Sequence, residues 1–254
     1  MKLQHSLWRP VAIHLWDAAE IKEGMRVLDL GCGPGDATLD LAERVGPTGA
    51  VVAVDQSPQF LFHLQESIRE RGWEARIEIK QSEFAQLELE PDAFDAVWAR
   101  WALCWDPDPI STLAQISRGL NTGGALIVQD YLNFGALLLT PREPDFERVV
   151  EAFLYSWRES GGSPNICSYL PQLMQDCGLT LKHDFPINKT TSPNEPMWQW
   201  PTTFYISFVP ELVRLKLLTE EEAADFHNAW ARASKNPKTT FPLPEMRGLV
   251  ARKS

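Results

Sequence analysis

The segment from Val27 to Pro58, VLDLGCGPGDATLDLAERVGPTGAVVAVDQSP, constrains the fold more than any other part of the sequence. An apolar run enters a turn with three glycines at alternate positions, a helical stretch follows, and a second apolar run ends in Asp55. This succession predicts a strand, a tight turn, a helix and a parallel strand. Glycine lets the turn bend sharply and lets a ligand approach the backbone closely. The segment therefore predicts either a purely structural turn or a site for a nucleotide-like ligand.

Three features of this segment favour the ligand site. Asp55 ends the second strand, where a carboxylate accepts hydrogen bonds from both hydroxyls of an adenosine ribose. Gly31, Gly33 and Gly35 have the spacing GxGxG, whereas pyrophosphate cofactors are usually bound by GxGxxG. Asp29 precedes the turn, and its carboxylate suits a ligand with an ammonium group better than one with two phosphates.

The first half of the chain alternates between short apolar runs and helical patterns, which is typical of a mainly parallel sheet. We expect strands near residues 26–30, 50–54, 76–80, 93–99 and 124–131, and helices near residues 34–45, 58–71 and 110–120. An amphipathic helix over residues 5–20 is expected to lie against the first strand or over the site. Residues 132–178 and 189–242 are irregular insertions, which on an α/β framework usually serve function.

Composition excludes several classes of function. The 24 basic and 34 acidic residues give a formal charge of -10, which repels phosphate backbones, so we expect no nucleic-acid partner. No stretch approaches the roughly 18 apolar residues of a membrane span, and the first twenty residues lack a signal-peptide core, so we expect a cytoplasmic protein without a membrane partner. The four scattered cysteines fit neither a zinc site nor a disulfide framework, so no metal is expected.

Five motifs together resemble the class I S-adenosylmethionine-dependent methyltransferases of the small-molecule type, in order and at the family's spacing. They are VLDLGCGPG, VVAVDQS, QSEFAQL, FDAVWARWALCW and GLNTGGALIVQDY, between Met25 and Tyr131. The resemblance implies an α/β, Rossmann-like sheet of seven strands in the order 3-2-1-4-5-7-6, with the last strand antiparallel and helices on both faces. Strands six and seven would then be residues 179–187 and 246–253.

The resemblance also implies one methyltransferase domain over residues 1–254. Its core would comprise about residues 21–131, 179–188 and 243–254, and the insertions 132–178 and 189–242 would form a helical cap.

The resemblance assigns S-adenosylmethionine as the cofactor and places residues around it. Asp29 and the backbone of the turn, Gly31, Cys32, Gly33 and Gly35, would border its methionine part, and Arg100 would lie at the same end. Asp55 would take the ribose hydroxyls, with Gln56 beside the adenine. Glu83 stands where the family usually has Asp and would still accept a bond from the adenine amino group. The backbone N–H of Phe84 would face the ring.

The methyl acceptor is expected beside the cofactor, over the carboxyl ends of the strands. Four residues on loops that leave strands four and five are candidates for its pocket, although packing is an alternative role for each: Trp101, Trp105, Tyr131 and Asn133. The 10 tryptophans of the chain favour an aromatic or otherwise apolar acceptor. His14, His183 and Asp130 are candidates for a general base, and the catalytic residue is left unassigned.

The sequence therefore predicts an enzyme that transfers a methyl group to an O, N or C atom of a small molecule by in-line displacement, mainly by positioning the reactants. A base is needed only if the acceptor must lose a proton. Two alternatives stay open: a non-catalytic S-adenosylmethionine-binding sensor or partner subunit, and a nicotinamide-dependent oxidoreductase, against which the GxGxG spacing and Glu83 argue. The acceptor and the oligomeric state are left open.

Overall fold

A seven-stranded sheet forms the centre of the computed structural model, which describes residues 2–254; Met1, which the predicted domain includes, lies outside the described residues. The strands are β1 (Arg26–Leu30), β2 (Ala50–Asp55), β3 (Ile77–Gln81), β4 (Phe94–Arg100), β5 (Leu120–Asn133), β6 (Leu179–Ile187), β7 (Thr190–Thr191), β8 (Phe241–Pro242) and β9 (Glu245–Lys253). Strands β7 and β8 pair with each other, apart from the main sheet.

The main sheet has the order β3-β2-β1-β4-β5-β9-β6. Strands β1 to β5 are parallel, and β9 runs antiparallel to both β5 and β6. Because β9 is the seventh strand of this sheet in chain order, the predicted order 3-2-1-4-5-7-6 with an antiparallel last strand is confirmed.

Eight α-helices of the described part of the chain surround the sheet: α1 (Lys2–Ala18), α2 (Asp36–Val45), α3 (Pro58–Arg71), α4 (Pro109–Gly119), α5 (Pro144–Glu159), α6 (Leu170–Asp176), α7 (Gln199–Arg214) and α8 (Glu220–Lys235). Local sequence fixes several of their ends. The Ser57 hydroxyl accepts a hydrogen bond from the backbone N–H of Phe60 and so caps α3, and Gly72 ends the helix with a φ of 64°. No helix within residues 2–254 combines the length and the apolar character needed to cross a membrane.

Apolar side chains cover both faces of the sheet. Val27 and Trp98 face the layer that contains α1, α2 and α3, whereas Leu28 and Val97 face the layer that contains α4, α5 and α6. Successive side chains of a strand point to opposite faces, so a strand buried on both sides must be apolar throughout. This double burial explains the continuous apolar runs 50–54 of β2 and 96–99 of β4, whereas β1 carries the buried Asp29 of the site.

The two insertions pack on each other at one end of the molecule. Residues 132–178 contain α5 and α6, and residues 189–242 contain α7 and α8, with α5 packed on both α7 and α8. Phe146 of α5 is buried against Tyr205 of α7 and Trp230 of α8, and Arg148 pairs with Glu222 at 2.8 Å. This packing holds α7 against α1, above the carboxyl ends of the parallel strands.

Candidate active site

The glycine turn after β1 brings bare backbone to the edge of a cavity. The N–H groups of Gly31 and Cys32 both donate to the carbonyl of Val54, at 2.8 and 3.0 Å, which fixes the turn against the end of β2. Gly31 has a φ of 70°, and a Cβ there would lie 2.6 Å from the Cβ of Ala102. Gly33 has a φ of 56° and would place a Cβ in open space, because no heavy atom lies within 4 Å of it. The turn therefore needs glycine for conformation at both positions and leaves room for a ligand at Gly33.

Asp55 joins the end of β2 to this turn. Its Oδ2 accepts a hydrogen bond from the backbone N–H of Gly33 at 2.9 Å, and its Oδ1 accepts one from the backbone N–H of Ser57 at 2.8 Å. A carboxylate offers about four lone-pair sites, so further acceptor capacity is left for a ligand.

A cavity of about 590 Å³ opens at the carboxyl ends of the parallel strands, a volume typical of small-molecule sites. All the predicted cofactor residues except Gly35 line it: Asp29, Gly31, Cys32, Gly33, Asp55, Gln56, Glu83, Phe84 and Arg100. Gly35 is buried instead, and a Cβ there would lie 2.3 Å from Cδ1 of Leu64. The third glycine of the motif thus serves the close approach of α2 to α3.

One end of the cavity holds two opposite charges. The Asp29 carboxylate is buried and accepts a hydrogen bond from the Thr38 hydroxyl at 2.6 Å, and its burial raises its pKa to about 6. On the other side, Nη2 of Arg100 contacts Nδ1 of His5 at 3.1 Å, whereas Nη1 is buried without a hydrogen-bond partner among the described residues. This end can receive a ligand that carries both an ammonium group and an anion.

The other end of the cavity is aromatic. Trp101, Trp105 and Tyr131 line it, together with Trp200 and Phe204 from α7. Trp101 stacks on Trp200 with ring centroids 5.6 Å apart and on Tyr131 at 6.4 Å. The φ of Trp101 is 51°, a left-handed conformation that is rare for a bulky residue and costs on the order of 1–3 kcal/mol. Such strain at the end of β4 is typical of functional sites.

Helices α1 and α7 form the roof of the cavity, through Leu3, Gln4 and His5 on α1 and Thr203 and Ser207 on α7. The sequence predicts α1 over the site only as one of two alternatives. It assigns no role to His5 or Phe204, and Trp200 is one of the tryptophans in the insertions that favour an aromatic acceptor.

Asn133 does not line the cavity, contrary to its predicted place in the acceptor pocket. The pairing of β5 with β9 shifts register between Tyr131 and Asn133, and the side chain of Asn133 is exposed. Asn133 is therefore not carried into the functional proposal.

Asp130, one of the three candidate bases, is fully buried and does not line the cavity. Its oxygens accept hydrogen bonds from the backbone N–H groups of Cys104 at 3.1 Å and Tyr131 at 2.9 Å, and burial raises its pKa to about 7. These contacts give Asp130 a structural role at the end of β5.

The other two candidate bases lie outside the cavity lining. His14 and His183 both pack against Phe185 of β6, with ring centroids 4.7 and 5.5 Å away. His183 is exposed, and β6 shifts register between Leu181 and His183. Residues 2–254 also contain no group of three or more His, Cys, Asp or Glu side chains arranged to hold a metal ion.

Comparison with known proteins identifies the family of the chain. The family model described as a methyltransferase domain matches residues 21–156. Demethylmenaquinone methyltransferase of Lactococcus lactis is 35% identical over 125 residues, which are 49% of this chain and 48% of that protein. Methyltransferase GfsG of Streptomyces halstedii is 28% identical over 232 residues, 90% of this chain and 76% of that protein. The chain thus spans about half the length of the first of these relatives.

Solved structures share the fold at low sequence identity. Phosphoethanolamine N-methyltransferase 2 of Haemonchus contortus, in complex with S-adenosyl-L-methionine, superposes with a TM-score of 0.61 at 16% identity, covering 97% of this chain and 52% of that one. The [4+2]-cyclase SpnF superposes with a TM-score of 0.58 at 19% identity, covering 96% and 80%. At these identities the likeness concerns the fold alone.

Proposed function

The chain belongs to the class I S-adenosylmethionine-dependent methyltransferases, and from that membership we propose that it methylates a planar aromatic small molecule with S-adenosylmethionine as the donor. One observation carries the proposal: a single cavity of about 590 Å³ contains both the glycine turn with Asp55 and an end walled by stacked aromatic rings. Donor and acceptor would thus meet in one cavity.

The polar end of the cavity fits the donor. Gly33 leaves bare backbone, Asp55 retains acceptor capacity for the ribose hydroxyls, and Asp29 offers a carboxylate to the ammonium group. Phe84 begins a short 3-10 turn, where a backbone N–H has no partner within the turn, so it is available to the adenine. Glu83 and Gln56 line the same part of the cavity.

When bound, S-adenosylmethionine supplies a methyl group already activated on a sulfonium. The chain has to bind both reactants, align them and exclude water, and correct positioning alone supplies up to about 7–11 kcal/mol in model reactions. Helices α1 and α7 cover the cavity and provide that exclusion.

The aromatic end indicates the class of acceptor. Trp101 and Trp200 lie nearly parallel, with 25° between their planes, and present flat faces on which a planar ring can stack. The residues of this end include neither a carboxylate nor an imidazole, so the acceptor must be nucleophilic without help from a side-chain base there. Burial raises the pKa of Tyr131 well above its ordinary value, so its hydroxyl stays protonated and can donate a hydrogen bond to an oxygen of the acceptor.

The names of two relatives support a quinol as the methyl acceptor. The Lactococcus protein and a 2-phytyl-1,4-naphtoquinone methyltransferase of Synechococcus elongatus are both named for quinone substrates. Their matches cover 49% and 65% of this chain, so they leave at least a third of it unmatched. We therefore base the acceptor class on the stacked rings and take the quinols as the first candidates to assay.

The test is methyl transfer from labelled S-adenosylmethionine by the full chain. Naphthohydroquinones serve as planar acceptors, and glycine and ethanolamine serve as small polar controls. We expect labelled product with the hydroquinones only. Product with the amines alone would contradict the acceptor class. Binding of S-adenosylhomocysteine without any product across a broad panel of aromatic acceptors would favour a non-catalytic sensor.

A further inference from the structure

His5 connects the roof of the cavity to its charged end. On α1, the ring of His5 is buried, and its Nε2 lies 3.0 Å from Oδ2 of Asp40 on α2. Its Nδ1 lies 3.1 Å from Nη2 of Arg100 at the end of β4. Arg9, one turn further along α1, also pairs with Asp40, at 2.5 Å, and does not contact Arg100. Both residues therefore dock α1 on Asp40 of α2, and of the two only His5 lines the cavity.

The partners of His5 determine how its ring is used. A guanidinium can only donate hydrogen bonds, so Nδ1 of His5 accepts from Arg100. The proton of the neutral ring then lies on Nε2, which donates to Asp40. The imidazole is held at both ends and fixes the position of the Arg100 side chain relative to the cavity.

Arg100 lacks a counter-ion that its position requires. No carboxylate among residues 2–254 lies within ion-pair distance of it, and its Nη1 is buried with no hydrogen-bond partner. Asp29, Asp36 and Asp40 act on the guanidinium only from beyond that distance, so its Nη1 remains a buried donor without an acceptor. Such a donor is costly, so the site has a reason to take up an anion. Asp29, with the opposite charge, lines the same end of the cavity.

We propose that Arg100 binds the α-carboxylate of the donor's methionine part and that His5 is the positioning residue that holds the guanidinium for it. The proposal rests on the function proposed above and names how its donor site is completed. Docking of α1 and recognition of the carboxylate are then coupled through one imidazole, so the roof closes most firmly over a donor that carries the carboxylate.

The experiment compares two donors that differ only in this group, S-adenosylmethionine and its decarboxylated form. Their dissociation constants are measured by calorimetry for the wild type and for Arg100→Met, His5→Leu, His5→Gln and Arg9→Ala, each checked for folding by circular dichroism. Arg9→Ala is the matched control, because it removes the other contact of α1 with Asp40 and leaves Arg100 held by His5.

We expect the wild type to prefer the intact donor by about tenfold or more, the size of one charge-assisted hydrogen bond. Arg100→Met should bring the ratio close to one, and His5→Leu should reduce it severalfold. His5→Gln should retain more of the preference, because an amide can accept from Arg100 and donate to Asp40. Arg9→Ala should leave the ratio unchanged even if it weakens both donors equally.

Each contrary result has a separate meaning. An unchanged ratio in Arg100→Met would overturn the assignment of the carboxylate to Arg100. A ratio lost in Arg100→Met and preserved in His5→Leu, or lost equally in Arg9→Ala, would overturn the positioning role of His5. Both results leave the proposed function standing, whereas failure of the wild type to bind either sulfonium would defeat the function and this inference together.

Discussion

The backbone N–H of Gly33 donates a hydrogen bond to the carboxylate of Asp55, 2.9 Å away, so the turn after β1 and the end of β2 form one unit. The carboxylate that we assign to the ribose also holds the turn that faces the methionine part of the donor. Substitution of Asp55 therefore acts on the site in two ways, by removing an acceptor and by loosening the turn.

Asp55→Ala should weaken binding of S-adenosylhomocysteine by about 1–3 kcal/mol, the range expected for lost hydrogen bonds to a charged acceptor. The measurement is calorimetric titration of the folded variant. Thr219→Ala is the matched control, because it removes the side-chain cap of α8, does not line the cavity and should leave affinity within a factor of about two. Equal affinity in Asp55→Ala and the wild type would show that the ribose lies elsewhere.

Substitution by alanine should have different effects at Gly31 and Gly33, the first two glycines of the turn. Gly31→Ala places a Cβ 2.6 Å from the Cβ of Ala102 and adds strain at a φ of 70°, so the free energy of unfolding should fall by about 2 kcal/mol or more. Gly33→Ala meets no atom within 4 Å, so stability should fall by only about 1–2 kcal/mol from the φ of 56°. Affinity for S-adenosylhomocysteine should fall clearly in Gly33→Ala, because its methyl group enters the cavity. Urea unfolding combined with ligand titration checks both, and unchanged affinity in Gly33→Ala would contradict the placement of the ligand.

Removal of the stacked ring on α7 should affect the acceptor alone. Trp200→Ala should raise the KM for a planar aromatic acceptor by roughly 2–10-fold, since aromatic pairs contribute about 0.5–1.5 kcal/mol, with no change in donor affinity. Tyr155→Ala removes an exposed ring on α5 that does not line the cavity and serves as the control. Steady-state kinetics decide the matter, and a matching loss of donor affinity in Trp200→Ala would mean that α7 covers the donor instead.

The stability of the protein should depend on pH through Asp130. Burial raises the pKa of this carboxyl from 3.8 to about 7, so between these values the folded state holds a proton that the unfolded state has released. Stability from this group is therefore lost as pH rises from about 4 to 7, by up to roughly 1.4 kcal/mol per pH unit. Asp130→Asn removes the titratable carboxyl. As the pH rises from about 4 to 7, the free energy of unfolding of the wild type should therefore fall relative to that of the variant. A difference that is constant from pH 4 to 8 would contradict the buried, protonated carboxyl.

The order of the main sheet and the polar end of the cavity could be predicted because they depend on local sequence. The turn, Asp29, Asp55 and Arg100 all lie at the ends of neighbouring parallel strands, and parallel strands bring their carboxyl ends to one edge of the sheet. Spacing alone cannot tell whether a glycine faces a ligand or a neighbouring helix. For that reason the sequence did not distinguish Gly35, which packs against Leu64, from Gly31 and Gly33.

The aromatic end and the roof were less predictable because they depend on packing between distant segments. His5 reaches Arg100 across 95 positions of the chain, and Trp200 meets Trp101 only because α5 and α8 hold α7 over the sheet. Asn133 and His183 lie outside the cavity, next to register shifts in β5 and β6. The alternation of side chains along a strand does not reveal such shifts.

The cavity is expected to bind an adenosyl amino acid rather than a dinucleotide. Calorimetric titration of the wild type with S-adenosylhomocysteine and, separately, with NAD distinguishes the two ligand classes. We expect one binding site per chain for S-adenosylhomocysteine, with an affinity at least tenfold higher than for NAD. Tighter binding of NAD, or no heat from S-adenosylhomocysteine with a folded protein, would contradict this expectation.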